Sequence, residues 1–147
     1  MSNTTAHGDS GDAGSENRVT FELASPEALL VSTAADMVVV PGAEGDFGVL
    51  PGHAPFISEV RPGVIDIYQA DKVDQRVFVA GGFAEVNEQG CTVLSIEAYP
   101  LEDLDRGEVQ ERLKAAEEDL ADADNDQERD AAESEIVLCN AMLEAIA

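Results

Sequence analysis

The stretch Val40-Pro41-Gly42-Ala43-Glu44-Gly45-Asp46-Phe47-Gly48-Val49-Leu50-Pro51-Gly52-His53-Ala54-Pro55 holds four glycines and three prolines in sixteen residues. Glycine lacks a Cβ and enters φ > 0 without steric cost, whereas proline holds φ near about −65°. A segment so rich in both is a series of tight turns, and no helix runs through it. Pro41, Gly42, Gly45, Gly48, Pro51, Gly52 and Pro55 are the expected turn positions. Working outward, short segments rich in Val, Ile, Phe and Leu lie at 19–23, 28–32, 37–40, 47–50, 56–60, 64–68, 76–80, 83–86 and 92–96. Gly and Pro punctuate them, with Gly81-Gly82 expected as a bulge or tight bend. Apolar runs this short, separated by turn signals, predict antiparallel strands of a β-sandwich or barrel rather than β-α-β units.

The texture changes after Pro100. Residues 101–147 contain no further proline and one glycine, Gly107, while Ala, Glu, Asp and Leu dominate. Val109, Leu113, Ala116 and Leu120 recur at helical spacing, as do Ala132, Ile136, Cys139, Leu143 and Ile146, with Leu138, Met142 and Ala145 widening the second stripe. Asp122-Ala123-Asp124-Asn125-Asp126 between them is charged and rich in turn formers, so the tail predicts an αα-hairpin, with Asp103 or Asp105 as N-cap of its first helix. Each apolar stripe needs a cover, whether its sister helix, the sandwich or another chain. The expected fold class is therefore β + α. Residues 1–17 form a disordered acidic leader, 18–100 the β-sandwich and 101–147 the helical hairpin. The leader carries no apolar side chain larger than alanine after the initiator, which excludes a secretory signal.

Thirty-one acidic against eight basic residues give a net charge of −23, and only Lys72 and Lys114 are lysines. A phosphate backbone needs a basic footprint, so nucleic acid is excluded as a partner. No apolar run is long enough to span a bilayer. The charge splits into −11 over residues 1–100 and −12 over residues 101–147, so it is densest in the hairpin, and so few lysines in so acidic a chain suit a salty environment. Cys91 and Cys139 lie far apart in apolar contexts and read as small core residues rather than a metal clip or a disulfide.

Catalysis needs a nucleophile with a base, a metal cluster or a phosphate cradle. His7 sits in the leader, which leaves His53 alone as a possible acid or base, too little for a zinc site. Gly42-Ala43-Glu44-Gly45 lacks the Lys-Ser/Thr that a phosphate loop requires. No catalytic residue, metal or cofactor is expected. The stretch reads instead as a rigid loop presenting Glu44, Asp46 and His53 to a partner, or as plain turns with His53 capping a loop carbonyl.

The pattern V-x-P-G-x-E-G-x-x-G-V-L-P-G-H-A-P resembles the epsilon chain of F-type ATP synthases. The resemblance continues through Arg61-Pro62-Gly63-Val64, Gly81-Gly82-Phe83-Ala84-Glu85-Val86, Val93-Leu94 and Leu104-Asp105, and covers about residues 18–145. It implies a non-catalytic subunit of the rotary central stalk of a proton-translocating ATP synthase, peripheral to the cytoplasmic side of a bacterial inner membrane. The implied partners are the gamma subunit and the c-ring, gripped by the sandwich, and the beta subunits, met by the hairpin. The family's acidic loop facing the ring maps onto Glu44 and Asp46, and the histidine of P-G-H-A-P onto His53. The competing reading from residues alone is a stand-alone sandwich-and-hairpin adaptor.

Some members of that family bind ATP through [IL]-D-x-x-R-A. Here Leu104-Asp105-Arg106-Gly107 is followed by Glu108 and Val109, so the signature is broken and no nucleotide site is expected. In some members the hairpin extends and inhibits ATP hydrolysis against an acidic segment of beta. A hairpin at −12 meets that segment at a like-charge cost, so the extended, inhibitory state is expected to be disfavoured.

Overall fold

A computed structural model describes residues 17–147; residues 1–16, which carry most of the expected leader, lie outside the described residues. The strands are β1 (Val19–Ala24), β2 (Leu29–Ala35), β3 (Met37–Gly42), β4 (Gly45–Val49), β5 (Phe56–Val60), β6 (Gly63–Gln69), β7 (Lys72–Val79), β8 (Gly82–Val86), β9 (Gly90–Leu94) and β10 (Ala98–Pro100). They run in the order β10-β7-β6-β3-β5-β8-β9-β1-β2, with β4 on the free side of β3. The path is continuous but thin at one point: β3 and β5 share the single register pair Gly42 and Val60. The sheet folds over there into two layers.

Period-2 alternation closes the layers on each other. Val38, Val40, Ile65, Ile67, Val77 and Val79 from one layer meet Val19, Phe21, Leu23, Ala84, Val86 and Val93 from the other, all buried in one core. The expected segments all overlap strands, and two features differ from expectation. β10 was not anticipated, because Ala98-Tyr99-Pro100 is three residues long and ends in proline; at the edge beside β7 the missing N–H is tolerated. The sheet is also not wholly antiparallel. β1 pairs with β9 in parallel, a contact seventy residues apart that no hairpin constrains.

That parallel ladder places Gly90 against Thr20, where a Cβ would lie 1.9 Å from the Thr20 carbonyl oxygen, so only glycine fits.

A 3-10 turn, Leu101–Asp103, leads into helices α1 (Arg106–Ala121) and α2 (Asp126–Ala145). Asp105 is the N-cap of α1, its carboxylate accepting from the Glu108 N–H, and Asn125 caps α2 in the same way through Glu128. Glu128 reaches back past the cap to accept from the Asp124 N–H at 2.9 Å, tying the loop to the first turn of α2. The loop of 122–125 is thus closed by its own side chains.

The hairpin lies on the sandwich. Phe78, on the outer face of β7, is fully buried in a second cluster with Val109, Leu138, Cys139 and Met142. Three successive residues of β7, Val77, Phe78 and Val79, are therefore buried, two towards the sandwich core and one beneath the helices. Of the expected stripes, Val109, Ala116, Ala132 and Cys139 are buried, as are Leu138 and Met142 among the residues expected to widen the second one, while Ile136 and Leu143 are only half-buried. Leu138 and Met142 belong to the cluster that contains Phe78, so the sandwich covers the widened side of the stripe.

Candidate functional site

Three surface features converge on the glycine- and proline-rich segment. The first is the β3–β4 turn. Gly42 pairs with Gly45, leaving Ala43 and Glu44 at the tip. A Cβ on Gly42 would stand 2.6 Å from the Gly45 carbonyl oxygen and 2.9 Å from the Phe47 ring, so the turn closes only around glycine. Arg61, on the link from β5 to β6, clamps it: Nη1 donates to the Gly42 carbonyl and Nη2 to Asp46 Oδ1, each at 2.6 Å. Glu44 and Asp46 are thus brought together, but in different states. Asp46 is neutralised by Arg61, and Glu44 is exposed at the tip without an ion pair among the described residues.

The second is the loop from β4 to β5. Pro51, Gly52 and Pro55 lie in it, and Gly52 takes φ +76°. His53 Nδ1 donates to the Ala54 carbonyl at 2.7 Å, the loop-capping role, and its ring lies 5.2 Å from Phe56. Phe56 in turn meets Phe47 edge to face at 5.0 Å. A series of rings therefore joins the loop to the middle of β4. His53 and Glu44 sit beyond opposite ends of β4 and form no common site. Gly48, expected at a turn, instead lies inside β4, where a Cβ would make only ordinary contact with Met37 at 3.6 Å. Gly45, Gly81 and Gly82 all have positive φ.

The third is an apolar face that the sequence reading missed. Ile57 on β5, Phe83 on β8 and Leu94 on β9 point outward and are 73%, 58% and 56% exposed. Phe83 stands opposite Leu94 in the ladder, and Ile96 follows at the strand end. Its signal was legible as phase: Ile57 shares its alternation with Glu59, and Phe83 with Glu85, so each is an apolar residue on a solvent register. A groove of about 460 Å³ runs between this face and the acidic turn, lined by Glu44, Asp46, Phe47, Phe56, Ile57 and Glu59. An exposed apolar stripe beside a preformed charged turn is the chemistry of a protein interface. Among the described residues no three His, Cys, Asp or Glu side chains gather as a metal site.

Residues 18–101 match the family described as ATP synthase, Delta/Epsilon chain, beta-sandwich domain, and residues 105–147 match the family of the C-terminal domain of the ATP synthase epsilon chain. An ATP synthase epsilon chain of Paramagnetospirillum magneticum is 54% identical over 130 residues, covering 88% of this protein and 98% of that one. The protein belongs to the ATP synthase epsilon-chain family. The epsilon chain of Rhodospirillum rubrum is 51% identical over 125 residues, covering 85% of this protein and 93% of its own length. The fold is shared with a subunit from the Euglena gracilis mitochondrial ATP synthase, OSCP/F1/c-ring, with a TM-score of 0.76 at 21% identity over 89% of this protein and 82% of that one. It is shared also with a subunit from the Tetrahymena thermophila mitochondrial ATP synthase central stalk and c-ring, with a TM-score of 0.63 at 12% identity over 90% of this protein and 98% of that one.

An epsilon chain is a subunit of the synthase and not itself catalytic, which removes the reading of His53 as an acid or base. No helix among the described residues is long and apolar enough to cross a membrane. Asp105 is committed to capping α1, and Val109 is buried in the cluster beneath the hairpin.

Between hairpin and sandwich lies one ionic centre. Arg112 of α1 binds Glu97, on the link before β10, through both terminal nitrogens, and binds Glu135 of α2 through Nε and Nη2. The Nη2 contacts are 3.0 Å to Glu97 and 3.1 Å to Glu135. Tyr99 donates its hydroxyl to Glu97 as well. Hydrogen bonding from Arg112 holds the Glu97 carboxyl below its ordinary range, and burial together with Glu97 raises the Tyr99 hydroxyl. Neither carboxylate nor arginine had a sequence signature, because the three meet only once the hairpin is docked.

Proposed function

We propose that this protein is the non-catalytic central-stalk subunit of a proton-translocating F-type ATP synthase, coupling c-ring rotation to ATP synthesis in the catalytic head. It works on the cytoplasmic side of a bacterial inner membrane. Identity of 54% to an epsilon chain over nearly all of that relative carries the reading. The stand-alone adaptor is not favoured, since both the sandwich and the hairpin match that one family.

In this reading the apolar face of Ile57, Phe83 and Leu94 grips gamma, and Glu44, Asp46 and the His53 loop meet the c-ring. Exposure of a large aromatic and two aliphatic side chains on adjacent strands supports the first assignment. The clamped acidic turn supports the second. Aromatic anchors dominate such interfaces, and losing one costs about 2 kcal/mol or more, roughly 30-fold in Kd. The paired substitution Ile57→Ser and Phe83→Ser is expected to weaken capture of gamma by at least that factor while leaving the melting temperature near wild type. Unchanged affinity in a titration against purified gamma would remove this face from the interface.

The hairpin contributes weak or absent inhibition of hydrolysis, because its net charge of −12 opposes an extended state against an acidic partner surface. Removing residues 101–147 is expected to change the ATP hydrolysis rate of the assembled enzyme less than about twofold, well under 1 kcal/mol in rate terms. A several-fold rise would sink the idea.

A further inference from the structure

The two halves of this molecule carry the same sign. Residues 18–100 hold four basic and twelve acidic side chains, net −8, and residues 101–147 hold four basic and sixteen acidic, net −12. They nevertheless pack together through the cluster around Phe78. Among the described residues a single ion pair crosses the boundary, Arg112 to Glu97, and the same guanidinium holds Glu135 on the second helix.

Two electrostatic effects of opposite sign thus act on the hairpin, and they differ in range. The Arg112 contacts span about the distance of a hydrogen bond and are part-buried. Salt screens over ~30 Å at 0.01 M, ~8 Å at 0.15 M and ~3 Å only at 1 M, so these contacts persist through ordinary salt. The mutual repulsion of two acidic bodies acts over at least one helix diameter, roughly 10 Å, and is therefore unscreened in dilute buffer and largely screened above ~0.15 M.

We propose that ionic strength sets the docking of the hairpin: it seats on the sandwich as salt rises and lifts away in dilute buffer, with Arg112 as the pin that joins both helices to Glu97. The inference goes beyond the rotor role and holds whether or not gamma is the partner. It makes the docked state dependent on the ions of the compartment, with the apolar cluster supplying a fixed attraction and the solvent setting the opposing repulsion. Loss of the pin shifts the salt needed for docking upward.

The protein has its own reporters. Cys139 is fully buried in the cluster between hairpin and sandwich, and Cys91 lies in the sandwich core. Burial pushes the Cys91 thiol up to about 12 and raises that of Cys139 too, so both are inert while covered. N-ethylmaleimide, an uncharged reagent whose approach salt does not alter, is applied to the full-length protein, and each labelled peptide is quantified by mass spectrometry. Cys139 is expected to label about tenfold faster at ~10 mM than at ~500 mM NaCl, with Cys91 slow at both. Arg112→Gln accelerates Cys139 at every salt, and Arg112→Lys restores part of the protection. Because Arg112 also lies beside Cys139, small-angle scattering provides a second readout: the radius of gyration grows in dilute buffer, and grows further in R112Q. A Cys139 rate that is flat or rises with salt, a Cys91 rate that follows it in step, or a radius independent of salt overturns the proposal. R112Q indistinguishable from wild type in both readouts overturns the role of the pin.

Discussion

Gly82→Ala is expected to lower stability by roughly 3–5 kcal/mol, a large loss for adding one methyl group. Gly82 has φ +136°, and a Cβ there would lie 1.9 Å from the Leu94 carbonyl oxygen and 3.0 Å from its carbon. Real contacts of that kind are not made, so β8 and β9 have to separate. The strain spreads in two directions, because Gly82 also stands opposite Val60 on β5. Separation at Gly82 loosens the Phe83 and Leu94 pair and opens the core above Ala84 and Val93. In a domain of this size the loss corresponds to a fall in Tm of roughly 10–20 °C. The neighbouring Gly81→Ala is a graded control: its φ is also positive, but the nearest atom, the Val60 carbonyl oxygen, lies at 3.1 Å. A G82A protein melting within about 2 °C of wild type would show that the strand pair tolerates the methyl group after all.

Phe78→Ala is expected to cost about 3–5 kcal/mol, and to cost it selectively from hairpin docking. Its side chain is fully buried on the outer face of β7, and its neighbours Val109, Leu138 and Met142 all belong to the helices. The sandwich core on the other face of β7 is built from Val77 and Val79 and keeps its contacts. Amide exchange therefore separates the two halves. Helices α1 and α2 are expected to lose most of their protection while β3, β6, β8 and β9 retain theirs. Parallel loss in both halves would mean that hairpin and sandwich unfold as one unit, with Phe78 no more than a member of a common core.

Much of this architecture was legible in the amino-acid sequence. Turn residues bounded the strands, and every expected segment overlaps one, because period-2 alternation and Gly/Pro punctuation are local properties. Asp105 and the acidic loop marked the helix ends for the same reason. What escaped the reading was set by contacts distant in sequence. Alternation assigns Phe78 to solvent, and only the docked hairpin explains its burial. β10 carries too little local signal to be seen, and its pairing with β7 makes it a strand. In the site, Glu44 and the His53 loop were visible through their glycine and proline frame. The apolar face was visible in principle, as Ile57 and Phe83 on a polar phase, but which face of a sheet meets water depends on the partner layer. Arg112 could not be read at all, since Glu97 and Glu135 lie 15 and 23 residues away on separate elements.

The clamp on the acidic turn has a mechanical consequence. A sideways push on Glu44 enters the body at Gly42, where β3 meets β5 through a single register pair and where Arg61 grips both the backbone and Asp46. That point is the crease between the two layers, so the load divides there. Part travels down β3 into β6, and part through Val60 along β5 into β8. A free hairpin tip would bend like a reed, storing the push as its own deflection. A tip anchored at the crease acts as a gear tooth set into the wheel, passing displacement to the whole body with little lost in the tooth itself.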